Sequence, residues 1–189
     1  YFYWKAGRFE EAISDAQKAI ELNNNMHPDP YMTLGSIYYD QKKYEEGKAE
    51  YEKAISINPN NLKAYYGKID YYLYLKNYSG AEIEYAKLLE QFPSMPEVLI
   101  EVGDFYYIDK KEDVQALNYY KKALAIYKKT HLLPSLALLR NIGDLTYNAK
   151  DYSFSLDVST TRLMLAKEKF DQHDAMMVIA NCFFQMKKN

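Results

Sequence analysis

Between short polar breaks, apolar residues recur along this chain at helical spacing. Leu34, Ile37 and Tyr38 mark one face of a first segment, and Tyr44, Ala49, Ala54 and Ile55 that of the next. No stretch alternates with period two for long, so the pattern predicts helices throughout. The breaks fall at Lys42-Lys43, Asn58-Pro59-Asn60-Asn61, Lys76-Asn77, Pro93-Ser94, Lys110-Lys111 and Lys150-Asp151. Pro59 and Pro93 lack a backbone donor and bias the preceding residue away from helix, so each closes a helix pair. Connections this short force consecutive helices to run antiparallel.

The pattern also repeats every 34 residues. Tyr31, Tyr65 and Leu99 share one register, as do Tyr38, Tyr72 and Tyr106. Tyr44 with Tyr78 and Pro59 with Pro93 keep the step, and Ala54, Leu88 and Ala123 keep it to within one residue. A helix pair of this size cannot bury its apolar face alone and does so against its neighbours, which is the physics of a stacked array.

At these positions the chain resembles the tetratricopeptide repeat family. The second repeat carries Tyr31, Leu34-Gly35, Tyr38, Tyr44, Tyr51, Ala54 and Pro59, and departs from the family at Gly47, where Ala is usual. A Gly inside a helix costs about 0.5–1 kcal/mol relative to Ala. The third repeat matches through Tyr65, Tyr72, Tyr78, Ala81, Tyr85 and Pro93, with Ile69 where the small Gly would loosen into close contact. The fourth restores Gly103 and Tyr106, has an extra residue in its turn, and runs its second helix on to about Thr130. The fifth keeps Leu139, Ile142-Gly143 and Tyr152 but has Ser155 and Ser159 in place of small or aromatic core residues. Gly7, Phe9, Ala12, Ala16 and Ala19 resemble a second helix preceded by the stump Tyr1 to Ala6, and Asp174 to Lys188 resembles a lone first helix. The resemblance implies an all-α, right-handed superhelical solenoid of antiparallel helix pairs. Its repeats span 1–26 (partial), 27–61, 62–95, 96–134, 135–172 and 173–189 (partial) in a single array. Tyr38, Tyr72 and Tyr106 are expected in the core.

Composition narrows the function. With a net charge of −2, the chain has no general attraction to nucleic acid or membrane, and a basic groove for RNA is not expected. No window approaches the ~20 apolar residues of a membrane span. The one cysteine, Cys182, cannot form an internal disulfide and leans the reading toward a reducing, cytoplasmic compartment. The chain does not begin with Met, so its ends read as cuts and a longer parent array is expected. Catalysis, metal and cofactors find no support. His27, His131 and His173 are scattered, the glycines never cluster into a phosphate-cradling loop, and Cys182 reads as a small buried hydrophobe. Glu10-Glu11 and Glu45-Glu46 sit at helix starts, where they complement the helix dipole.

In the family the first helix of each pair lines a concave groove. By register the groove residues include Tyr39, Tyr66, Asp70, Gly67, Tyr74, Glu101, Asp104, Tyr107, Arg140, Asn141, Asp144 and Tyr147. Asp70, Asp104 and Asp144 share one slot, and Tyr39, Tyr107 and Tyr147 the slot one turn later. An acidic row beside an aromatic row suits a peptide carrying Lys or Arg with apolar residues; the plainer reading is solvated Asp and abundant Tyr. The slots that grip chaperone-tail carboxylates elsewhere in the family read Asp29, Thr33, Lys63, Gly67, Glu97 and Glu101, the wrong sign for that ligand. Arg140 and Asn141 could still make a small anion site. Lys121, Lys122, Lys128 and Lys129 read as a solvated face whose stems cover apolar surface. The reading is a non-enzymatic protein-interaction scaffold with a protein or peptide partner. The alternatives are self-association through terminal faces such as Phe183 and Phe184, or the sensor or targeting region of a larger enzyme or regulator.

Overall fold

The computed structural model describes residues 8–22 and 26–188, which form ten α-helices and no strand. The stump Tyr1 to Ala6, with Gly7, lies outside the described residues. The chain divides into two compact bodies, one ending at Gln91 and the other starting at Phe92.

The N-terminal body holds α1 (Phe9–Leu22), α2 (Pro28–Asp40), α3 (Tyr44–Ile57), α4 (Leu62–Tyr74) and α5 (Tyr78–Gln91), each packed on the next. Pro28 opens α2 at a position where a missing N–H costs nothing. Asn61 caps α4 by accepting the Ala64 N–H at 3.2 Å. The core repeats with the sequence: Tyr31, Leu34 and Ile37 from α2 and Tyr51 and Ala54 from α3 are buried, as are Ala64 and Ile69 from α4 and Ala81, Tyr85 and Leu88 from α5. Tyr38 and Tyr72 are only half-buried, unlike Tyr106. The Tyr51 ring is wedged between two helices that must come close to it. A β-carbon on Gly35 would stand 2.9 Å from the ring, and one on Gly67 2.4 Å. Gly67 therefore packs against the preceding helix rather than standing open in a groove.

The C-terminal body holds α6 (Pro96–Asp104), which runs directly into a π-helical segment (Phe105–Lys110), then α7 (Asp113–Thr130), α8 (Leu136–Asn148), α9 (Tyr152–Leu165) and α10 (Lys169–Met186). The extra residue of the fourth repeat lies in that π-helical segment. The bond closing α2 runs from the Lys43 N–H to the Tyr38 carbonyl, and α8 closes likewise from Asp151 to Thr146. Here it runs from Glu112 to Tyr106, one residue longer, so the insertion falls within the helix rather than in the turn. Each first helix then ends on a lysine in the left-handed region, Lys42, Lys76, Lys111 and Lys150.

The fifth repeat solves its core differently. Ser159 holds the register of Tyr51, and Arg162 that of Ala54. With the aromatic ring gone, the long Arg162 side chain fills the interior and is only 1% exposed. Cys182 is fully buried, its Sγ 3.5 Å from the Ser155 Oγ, which itself donates to the Gly143 carbonyl at 2.8 Å.

Candidate functional site

Three candidate residues of the C-terminal body meet at one cavity of about 290 Å3: Tyr107 from the π-helical segment with Asp144 and Tyr147 from α8. Asn148 of α8 and Val178 and Asn181 of α10 complete the lining. Burial holds the Asp144 carboxyl above the usual range and the Asp174 charge adds to the rise, while Arg162 and Arg140 pull it back. The cavity thus offers one underpaid carboxylate between aromatic walls, a setting that favours an entering cation.

Asp104, in the same repeat slot, is already engaged. The Tyr120 hydroxyl donates to its Oδ1 at 2.5 Å, and the Asn141 amide donates to that hydroxyl at 3.3 Å. Burial raises the Asp104 carboxyl and the Tyr120 bond opposes the rise. Tyr120 is fixed in turn by Gly103, where a β-carbon would stand 2.5 Å from the ring. In the N-terminal body the equivalent pair is Tyr51 and Ser36, with their oxygens 2.9 Å apart. Glu101 is exposed.

Arg140 and Asn141, expected as a small anion site, both hold partners within the protein. Arg140 pairs with Asp171 at 2.8 Å and lies 3.8 Å from Asp174. Arg162 pairs with Asp174 at 2.7 Å and Asp171 at 3.4 Å. Two arginines from α8 and α9 thus clamp two aspartates of α10. Sequence reasoning missed Arg162. The signal was available as a charged residue in an alanine core slot, three residues after a serine in a tyrosine slot.

In the N-terminal body Tyr39 is turned inward and is not a groove residue. Its ring meets Tyr44 at 5.5 Å and Tyr51 at 5.8 Å between centroids, both edge-on. Burial, and then the charge of Asp70, raise its hydroxyl far above the ordinary value. Asp70 keeps solvent contact, yet the protein around it raises its carboxyl. Tyr74, 56% exposed, stacks on Tyr44 at 3.8 Å, and the Tyr44 hydroxyl is pushed up to about 12 by burial and the Tyr74 bond. Tyr66 is half-buried. Of the lysines on α7, Lys121 lies 4.5 Å from the Phe154 ring and Lys122 4.9 Å from the Tyr119 ring, covering aromatic surface. Among the described residues no three His, Cys, Asp or Glu are grouped to hold a metal ion, and no helix is long and apolar enough to cross a membrane.

The tetratricopeptide repeat family model matches residues 1–26 and 28–61. Over those residues the chain matches the tetratricopeptide repeat family. Its fold class is the all-α solenoid of antiparallel helix pairs. The chain is 32% identical over 102 residues to the Hsp70-Hsp90 organising protein of Plasmodium falciparum (isolate 3D7), a match that covers 51% of this chain and 18% of that protein. It is 32% identical over 93 residues to RNA polymerase II-associated protein 3 of Xenopus tropicalis, covering 47% of this chain and 13% of the relative. The chain therefore spans less than a fifth of either relative. Among solved structures, Pseudomonas aeruginosa pilF superposes with a TM-score of 0.65 at 17% identity, over 98% of this chain and 86% of that one. YrrB, described as a TPR protein with an unusual peptide-binding site, superposes with a TM-score of 0.62 at 18% identity, over 91% of this chain and 84% of its own. These two show the fold alone.

Proposed function

We propose that this array captures a protein partner, without catalysis, through a segment in which Lys or Arg stands beside apolar residues. The cationic head enters the cavity of Tyr107, Asp144 and Tyr147, and the apolar neighbours lie along the tyrosine faces. The observation that carries the reading is Asp144, a carboxylate raised by burial and by Asp174 within an aromatic-walled cavity. A cation there regains part of what burial costs the carboxylate, and each ring contact adds about 0.5–2 kcal/mol. An anionic tail is opposed, since Arg140 is neutralised by Asp171. The net charge of −2 favours protein over nucleic acid as the partner.

Selection of binders from a random peptide library tests this, with the native chain and Asp144→Asn as parallel baits. Peptides with Lys or Arg next to apolar residues are expected on the native chain and are expected to lose that enrichment on Asp144→Asn. The same sequences recovered on both baits, or acidic sequences on the native chain, overturn the reading.

A further inference from the structure

A second cavity, of about 470 Å3, shares no lining residue with the first. It lies between the connector preceding α6 and the far end of α7, where Phe92, Met95, Ile126, Thr130 and Leu132 contribute to the lining. It exists because α7 is a turn longer than its counterparts: in register with α3 it would end at Ile126, and Thr130 and Leu132 lie beyond that point. Glu97, exposed in the first turn of α6, is the one charged residue of the lining. The cavity therefore suits an apolar group with a cation beside it.

The same body presents such a group. Phe170, the second residue of α10, is 75% exposed, and the exposed Lys167 and Lys169 precede it on either side of the exposed Glu168. We propose that Phe170 of one copy of the chain enters this cavity on a second copy, with Lys167 or Lys169 pairing with Glu97. Knob and hole belong to different segments of one chain, so each copy carries both halves of the contact. A ring buries on the order of 150–250 Å2, well under the ~1,200 Å2 of a stable interface, so the association is weak and concentration-dependent.

Two variants separate the halves. Phe170→Ser removes the knob and leaves the hole, and Glu97→Lys with Leu132→Asp spoils the hole and leaves the knob. All three positions are exposed, so thermal melts of the variants should match the native chain. In sedimentation equilibrium over a series reaching millimolar concentration, the native mass is expected to rise and each variant to remain monomeric. An equimolar mixture of the two variants is expected to regain pairs. A native chain that stays monomeric overturns the proposal, leaving the cavity to a different apolar cation-bearing occupant. So does a Phe170→Ser chain that still associates, which would move the contact to another surface such as Phe183 and Phe184, and so does a mixture that fails to pair.

Discussion

The ring of Tyr39 occupies the space that a side chain at position 47 would need: a β-carbon on Gly47 would stand 2.5 Å from its Cδ2 and 3.0 Å from the Gly35 carbonyl oxygen. This explains why the second repeat departs from the family's alanine. Tyr39 and Tyr107, in one register, are placed differently. In the fourth repeat the register of Gly47 is held by the fully buried Ala116, and Tyr107, in the π-helical segment, lines the cavity.

Gly47→Ala gains about 0.5–1 kcal/mol of helix propensity and loses roughly 1–3 kcal/mol to overpacking. The expected net effect is destabilisation by about 1 kcal/mol in chemical denaturation. With Tyr39→Ala already in place, the same substitution is expected to stabilise. A Gly47→Ala effect of equal sign in both backgrounds would show that the two residues are not coupled.

Arg162 supports a second double-variant prediction. Arg162→Ala leaves Asp171 and Asp174 facing Arg140 alone and empties a core position, for a cost of about 2–4 kcal/mol, since the aspartates keep some solvent. Restoring the repeat's ordinary solution, Ser159→Tyr together with Arg162→Ala, is expected to recover most of that loss. Denaturant midpoints of the three proteins decide it; a double variant no better than Arg162→Ala would mean that the ring and the arginine do not share the space.

These two cases mark what the sequence made legible. The helix boundaries follow from Pro59, Pro93 and the lysine-bearing turns, because a missing donor or a left-handed residue ends a helix whatever surrounds it. The slots of Tyr51 and Tyr85 follow from the period, because the two lie 34 residues apart and both are buried. Compensation between positions was not legible. Gly47 matters through Tyr39, and Arg162 through Ser159 and two aspartates of α10. Of the site, the register of Asp144 and Tyr147 was readable, whereas the engagement of Asp104 by Tyr120 and of Arg140 by Asp171 required coordinates.

The left-handed turns carry their own prediction. Lys42 at φ 61° and Lys150 at φ 62° hold a conformation in which a β-carbon crowds the backbone. Lys42→Gly and Lys150→Gly are each expected to stabilise by roughly 0.5–1 kcal/mol after the greater chain entropy of glycine is subtracted. Urea titrations of the single variants check this, and a loss of stability would mean that the lysine stems pack against the turn strongly enough to outweigh the strain.

Asp144 links stability to capture. Its folded carboxyl is raised by burial and by Asp174 against the opposing Arg162 and Arg140. A raised carboxyl favours the folded state fully below the unfolded value of about 3.9, and that contribution is lost as pH rises through the folded value. At neutral pH the folded chain therefore carries an ionised group in a poor place for it. Asp144→Asn is expected to melt higher than the native chain at pH 7, with the difference shrinking toward zero below about pH 4. Asp104→Asn should gain less, because the Tyr120 hydroxyl already stabilises that carboxylate. The variant that gains most stability is also the one expected to lose its cationic peptides. Melting curves across pH decide the sign: a lower melting temperature for Asp144→Asn at pH 7 would mean that the two arginines hold the carboxylate favourably, leaving no deficit for a ligand's cation to relieve.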